Sequence, residues 1–382
     1  MWAAVLRKGN IEVTQVPDPV PGPGQVLVKS LSCGICGSDL HTFQGATGAA
    51  VMARRTGSPF DFDPERDLIF GHEVCTEILE YGPETQGSLK PGTRVTSVPV
   101  GFAGGRMHAI GFSNDLPGGF AERMLLTESL LIEVPEGLSN EQVVCAEPMS
   151  VGWHAVKEAG LSTDEVPLVM GCGPVGLAVI AGLKILGMHP IVAADFSPLR
   201  RRLAASFGAD VVVDPKEVSP FKQWDEVAVP NGRALPAMGY EAFYSAYASR
   251  RPCVVFECVG APGVIQQILE GVPPNTRVIV VGVCLTVDSI QPVFAVNKMM
   301  TLKFVLGYTP DEFRESLQHI ASGKINVRPM ITGRVGLSGV LQAFQDLQNP
   351  MQHAKIVVEP KRQNWYERTL SRFAGVGASE SR

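Results

Sequence analysis

A thiol, an imidazole and carboxylates that together suit a metal ion lie in three separate short segments of this chain. Cys36 sits in the run CGICGSDLH (33–41), His72 and Glu73 follow Gly71, and Glu147 precedes Pro148. One soft sulfur, one ring nitrogen and carboxylate oxygens match the ligand preferences of zinc. Structural zinc sites gather four Cys or His ligands in close local pairs. A scattered set with little sulfur fits instead a catalytic ion that keeps a position open for water or substrate. The competing reading makes Cys33 and Cys36 a redox or structural pair. A structural zinc would need a second such pair, and the chain has none. A redox pair would stand beside a thioredoxin-like strand and helix.

A second chemical signal follows. Pro167–Met170 reads as a short buried strand, then comes the turn Gly171-Cys172-Gly173-Pro174-Val175-Gly176, then an apolar helix to about Leu186. Glycines there allow a tight turn and let the backbone approach a pyrophosphate, which the helix N-terminus favours. A second strand, Pro190–Ala194, ends at Asp195, nineteen positions beyond Gly176. That is near the offset of about 20 expected of an acid that binds the ribose hydroxyls. Strand, turn, helix, strand and acid together specify a dinucleotide site far better than the glycines alone.

The elements that must position these groups change character along the chain. Up to about residue 150, short strands and turns dominate, with Gln25–Lys29 a clear strand after a Pro/Gly-rich stretch. Beyond it, strands alternate with helices, which implies a parallel sheet. Further strands are expected at 210–213, 253–257 and 277–282, and a capped helix at 310–320. The net charge of −5 offers no support for nucleic-acid binding. No apolar run approaches the roughly 18 residues that span a bilayer. The start of the chain lacks a signal-peptide core and the eight cysteines are scattered, so a cytoplasmic location is expected.

These motifs together resemble the zinc-dependent medium-chain alcohol dehydrogenases, in particular the branch of polyol and threonine dehydrogenases. CGICGSDLH, GHE (71–73), PGTRV (91–95), EPMSVG (147–152), GCGPVG (171–176) and HAKIVV (353–358) carry the resemblance, which spans roughly residues 1–360. It implies an α/β fold: a Rossmann doubly wound parallel sheet with a GroES-like β-rich catalytic domain. The expected divisions are 1–149 catalytic, 150–299 dinucleotide-binding, 300–360 returning to the catalytic domain, and 361–382 an extension.

The resemblance also implies roles. Cys36, His72, Glu73 and Glu147 are the expected metal ligands. Both carboxylates are expected to attend the zinc and to exchange as water or substrate binds; which one ligates at rest stays open. Asp39 is expected to accept the spare N–H of His72. Zinc would act as a Lewis acid on the alcohol oxygen. The alcohol proton would pass to Ser38, through the nicotinamide ribose, and to solvent at His41. Ser38 also suits the start of a helix near Asp39 as its cap. Gly171, Gly173, Pro174, Val175, Gly176, Asp195, Arg200, Val259 and Val281 are the expected cofactor contacts. Asp195 favours NAD over NADP, although one of Arg200, Arg201 and Arg202 would neutralise a phosphate; the three otherwise read as a solvated helix face.

Several departures matter. Residues 76–144 contain no cysteine, so the four-cysteine lobe of many family members is missing and one zinc per subunit is expected, with no structural zinc. His108 in that stretch reads as a surface or packing residue rather than a ligand. The long connection 42–68, with Phe43, Arg54, Arg55, Phe60 and Phe62, reads either as a substrate-shaping insertion or as a mobile surface loop. Its phenylalanines suggest an apolar compound, its arginines an anionic one. Aromatics in 215–250 (Trp224, Tyr240, Phe243, Tyr244, Tyr247) read as core packing or as a subunit contact, and the tail from Lys361 reads as disordered or as docked on a surface through Trp365, Tyr366, Leu370 and Phe373. The expected activity is interconversion of a secondary alcohol and its ketone. A zinc-free enone or quinone reductase and a non-catalytic NAD-binding scaffold are the alternatives. A homodimer or homotetramer is expected, with the strand Val278–Val283 extending a sheet across subunits.

Overall fold

The strand Gln25–Gly34 alternates buried and half-exposed residues over most of its length, as a strand with one face on a core must. It is the axis of the first of two compact units in the computed structural model, which describes residues 1–229 and 250–362. That unit comprises Met1–Cys145, Ile331–Asn349 and the chain from Lys355 on. Among the described residues its main sheet has seven strands, in the order Ile331–Val335, Lys355–Val358, Gln25–Gly34, Glu73–Tyr81, Arg94–Ser97, Leu131–Glu133, with Arg123–Thr127 also paired to Gln25–Gly34. Antiparallel register sets Gly34 opposite both Glu73 and Val357. Three segments far apart in sequence thus meet at one end of the sheet. Val26, Val28, Phe70, Phe120, Phe344 and Ile356 form part of its core.

The second unit comprises Ala146–Met330 and Pro350–Ala354. Its six strands are all parallel, in the order Val211–Val213, Val192–Ala194, Val166–Met170, Cys253–Glu257, Arg277–Val280, Thr301–Phe304. Val166–Met170 and Cys253–Glu257 are buried at every position, the continuous apolar pattern of strands covered on both faces. The capped helix is Pro310–Ala321, closed by Thr309, whose hydroxyl accepts from Glu312 N, and by Glu312, whose carboxylate accepts from Thr309 N.

Three expectations need correction. The chain re-enters the first unit at Ile331, not near residue 300, because Thr301–Phe304 pairs with Arg277–Val280 and stays in the parallel sheet. For the same reason Val278–Val283 is no sheet edge: Arg277–Val280 is flanked on both sides, and the edge is Thr301–Phe304. The connection 42–68 carries regular structure that its reading as a loop did not include. It forms the helix Ala46–Thr56, stopped by Gly57 in the left-handed region at φ 66°. Its far end is pinned by Ala109 N donating to Pro59 O and by Asn114 bonding Asp63 and Asp67. Trp224 is buried in the core of the parallel sheet. Tyr240, Phe243, Tyr244 and Tyr247, and the tail aromatics from Trp365, lie outside the described residues.

Candidate active site

Cys36 is the N-cap of the helix Gly37–Gln44, immediately past the end of the strand Gln25–Gly34. His72 and Glu73 enter the adjacent strand. One ligand atom from each of Cys36, His72 and Glu73 lies within 4.8 Å of the others. His72 and Glu73 are buried and Cys36 is half-buried. Asp39 is fully buried; its Oδ2 accepts Cys36 N at 2.9 Å and its Oδ1 lies 3.4 Å from His72 Nδ1. The carboxylate faces Nδ1 from outside hydrogen-bond geometry, and Nε2 is the ring nitrogen that would be offered to a metal. Burial pulls the imidazole pKa down, but Asp39 and Cys36 outweigh it and hold it well above the ordinary value. Such electron-rich surroundings for a buried ring suit a cation, and the sulfur, nitrogen and oxygen donors suit zinc.

Ser38 does not cap its helix, because Cys36 occupies that position and Asp39 reaches back to its N–H. Ser38 Oγ instead lies 3.4 Å from His72 Nε2. His41, three residues on along the same helix, is exposed. Cys33 is buried, and burial holds its thiol well above its usual pKa, which removes thiolate reactivity. Cys145 is likewise buried, its thiol pushed up to about 12.

Sequence reasoning missed Lys355. It is 1% exposed, and its Nζ donates to both Glu73 oxygens, at 2.6 and 2.7 Å, and to Ile35 O at 3.0 Å. Burial lowers its pKa, but the Glu73 charge more than reverses that and the ammonium is strongly favoured. Gly34 is what lets Glu73 fold into this pair: a Cβ there would stand 1.8 Å from Glu73 Oε2. A lysine inside the apolar strand run KIVV was the available signal, since a buried lysine requires a partner. Phe112, whose ring lies tilted against His72 with centroids 5.2 Å apart, left no such mark.

The phenylalanines of the insertion are mostly committed to packing. Phe62 is buried, Phe43 meets Phe344 edge-on at 5.5 Å, and the half-exposed Phe60 leans on Phe112 at 4.8 Å. Arg54 is bound to Asp61 and to Phe62 O. His108 bonds Ser113 Oγ and Ala103 O within the first unit, the packing role expected of it.

In the second unit, Gly173 caps the helix Pro174–Ile185 and Gly171 has φ 89°. A Cβ on Gly176 would stand 1.9 Å from Gly171 O, so only glycine closes this turn. Asp195 is buried; Oδ2 accepts Cys172 N at 2.8 Å and Oδ1 accepts Ser197 N at 2.7 Å. Arg200 approaches Gly173 and leaves its buried Nε without a hydrogen-bond partner. Arg201 is no solvated residue: it pairs with Asp214 and donates to Asp195 O and Phe196 O. Val259 packs over Gly171, and Val281 N donates to Glu257 O. Glu147 lies in the first turn of the helix Ala146–Glu158, nearly buried, and receives the Tyr308 hydroxyl at 2.9 Å.

Comparison with known proteins agrees with this geometry. Residues 22–136 match the alcohol dehydrogenase GroES-like domain and residues 174–322 the zinc-binding dehydrogenase domain. The chain belongs to the zinc-type medium-chain alcohol dehydrogenases. This dehydrogenase is 29% identical to the (R,R)-butanediol dehydrogenase of Bacillus subtilis over 92% of its own length and 97% of the relative's. It is 28% identical to the sorbitol dehydrogenase of Ovis aries, covering 88% and 90%. Among solved structures, 2R,3R-butanediol dehydrogenase from Bacillus subtilis superposes with a TM-score of 0.73, at 27% identity, covering 94% and 99%. A Sinorhizobium meliloti 1021 protein described as a zinc-binding dehydrogenase and bound to NADP gives 0.75 at 25% identity, covering 94% and 99%. This dehydrogenase is thus an oxidoreductase with a GroES-like unit and a Rossmann-type unit. Among its described residues, no helix is long and apolar enough to cross a membrane.

Proposed function

We propose that this dehydrogenase interconverts a secondary alcohol and its ketone using one zinc per chain and NAD(H), with vicinal diols or polyols as the substrate class. The convergence of Cys36, His72 and Glu73 carries the reading. A zinc held there supplies Lewis acidity toward the substrate oxygen. Asp39 fixes the tautomer and the aim of the His72 ring. Ser38 Oγ would accept the alcohol proton while giving up its own, and exposed His41, three residues on along the same helix, would be the point of exchange with solvent. Glu147 accepts the Tyr308 hydroxyl within the second unit, so the reading of the ion rests on Cys36, His72 and Glu73. The named activities of the butanediol and sorbitol relatives support the substrate class.

A buried Asp195 at the end of its strand favours NAD. Arg200 over the glycine turn is the group that would accommodate NADP. Absence of cysteine from 76–144 and the prior engagement of His108 support a single zinc. The strand edge Thr301–Phe304, with Phe304, Leu306, Val293 and Val296 exposed, supports a homo-oligomer, and we place the enzyme in the cytoplasm. The intact donor set weighs against a zinc-free reductase and against a scaffold without activity. Metal analysis combined with a panel of diols, polyols and ketones against NAD(H) and NADP(H) tests the reading. We expect one zinc per chain and turnover of a diol or polyol with NAD. Two tightly held zincs, or no alcohol-dependent NAD reduction by zinc-loaded protein, would overturn it.

A further inference from the structure

The strand Cys253–Glu257 ends in a carboxylate that no ligand set explains. Glu257 is 1% exposed, and among the described residues no Lys, Arg or His forms an ion pair with it. Its Oε1 accepts the N–H groups of Val259 and Gly260, at 2.7 and 2.8 Å. Its main-chain carbonyl accepts from Val281 N and Gly282 N, both at 2.9 Å. One residue therefore ties together the loops that follow two adjacent strands, Cys253–Glu257 and Arg277–Val280. The packing is tight enough to demand glycine. A Cβ on Gly282 would stand 2.3 Å from Gly260 N and 2.7 Å from Glu257 Oε2, and Gly260 has φ 66°. The same crest leans on the glycine turn, since a Cβ on Gly171 would meet Val259 Cγ2 at 2.8 Å.

Sheet order says which part of a dinucleotide this crest faces. Strand order reverses between Val166–Met170 and Cys253–Glu257, and a dinucleotide lies across the carboxyl ends of the strands at such a point. Asp195 stands on the half that holds the adenosine. The loops tied by Glu257 stand on the other half, where the nicotinamide must lie. A buried carboxylate without a cation is an expensive way to fill space. What it achieves is the fixed direction of the N–H groups of Val259 and Gly260.

We infer that Glu257 is a positioning residue for the nicotinamide half of the cofactor, an inference that rests on the nucleotide-dependent function proposed above. The test compares binding of NADH and of ADP-ribose, which lacks the nicotinamide, to wild type and to Glu257→Gln. The glutamine still offers one carbonyl to the Val259 and Gly260 N–H groups but turns an NH2 toward Gly282. We expect NADH affinity to fall about tenfold or more while ADP-ribose affinity stays within about twofold. Equal losses for both ligands, or none for either, would overturn the inference. Wild-type protein that binds neither ligand would instead sink the nucleotide reading itself. Amide exchange in wild type decides the matter without the variant. NADH should slow exchange at Val259 and Gly260 beyond what ADP-ribose does, and equal slowing by both counts against the inference.

Discussion

The proposed metal cluster and the proposed nucleotide crest each bury a carboxylate almost completely, and they neutralise it in opposite ways. Glu73 is matched by a full positive charge, Lys355, which holds both its oxygens. Among the described residues Glu257 is matched by peptide N–H groups and by no cation, and burial pushes its pKa up against their pull. The difference follows from what each region must present. A carboxylate beside a soft and a nitrogen donor would be a strong third ligand, and the Lys355 ammonium competes with a cation for the same oxygens.

The largest effect should come from breaking the charged pair. Lys355→Met leaves Glu73 buried and unpaired and should cost about 3–5 kcal/mol of stability in urea unfolding. Adding Glu73→Gln should recover roughly half of that or more; a double variant no better than the single would mean the pair is not what Lys355 contributes. A smaller effect belongs to Asp39→Asn. Losing the charge behind His72 should weaken zinc binding about 10–100-fold in chelator competition, and unchanged affinity in folded protein would remove Asp39 from the site. The smallest effect concerns the crest. The folded pKa of Glu257 is raised, so folding favours its protonated form. That stability is fully present below the unfolded pKa of about 4.3 and is lost as pH rises through the folded value. Between about pH 4 and pH 7, Glu257→Gln should therefore lose less stability than wild type. Parallel pH profiles would show that N–H donors compensate the buried charge completely.

Local chemistry was legible where a short segment carries its own constraint. GCGPVG reads as a turn because Gly171, at φ 89°, and Gly176, where a Cβ would stand 1.9 Å from Gly171 O, admit no side chain, and Val166–Met170 reads as a strand because it is apolar throughout. Cys36 and His72 stood out because each lies in its own short motif, CGICGSDLH and GHE, whereas the helix cap expected at Ser38 proved to be Cys36, with Asp39 reaching back to its N–H. Thr309 and Glu312 announced their helix from within one short segment. The insertion was less readable: nothing in its composition said that Ala50 and Ala53 would be buried or that Phe60 would lean on Phe112.

By itself, then, the sequence determined the donor types, the glycine turn and the alternation of strands and helices, since each depends on the residue and its near neighbours. Tertiary structure decided which charges meet. Lys355 reaches Glu73 across 282 positions because antiparallel register brings both strands to Gly34. Glu257 closes over the next strand's loop only because the parallel sheet sets Cys253–Glu257 beside Arg277–Val280. Pairings of that kind depend on strand order and register, which are set by the burial of whole faces and are written in no single segment.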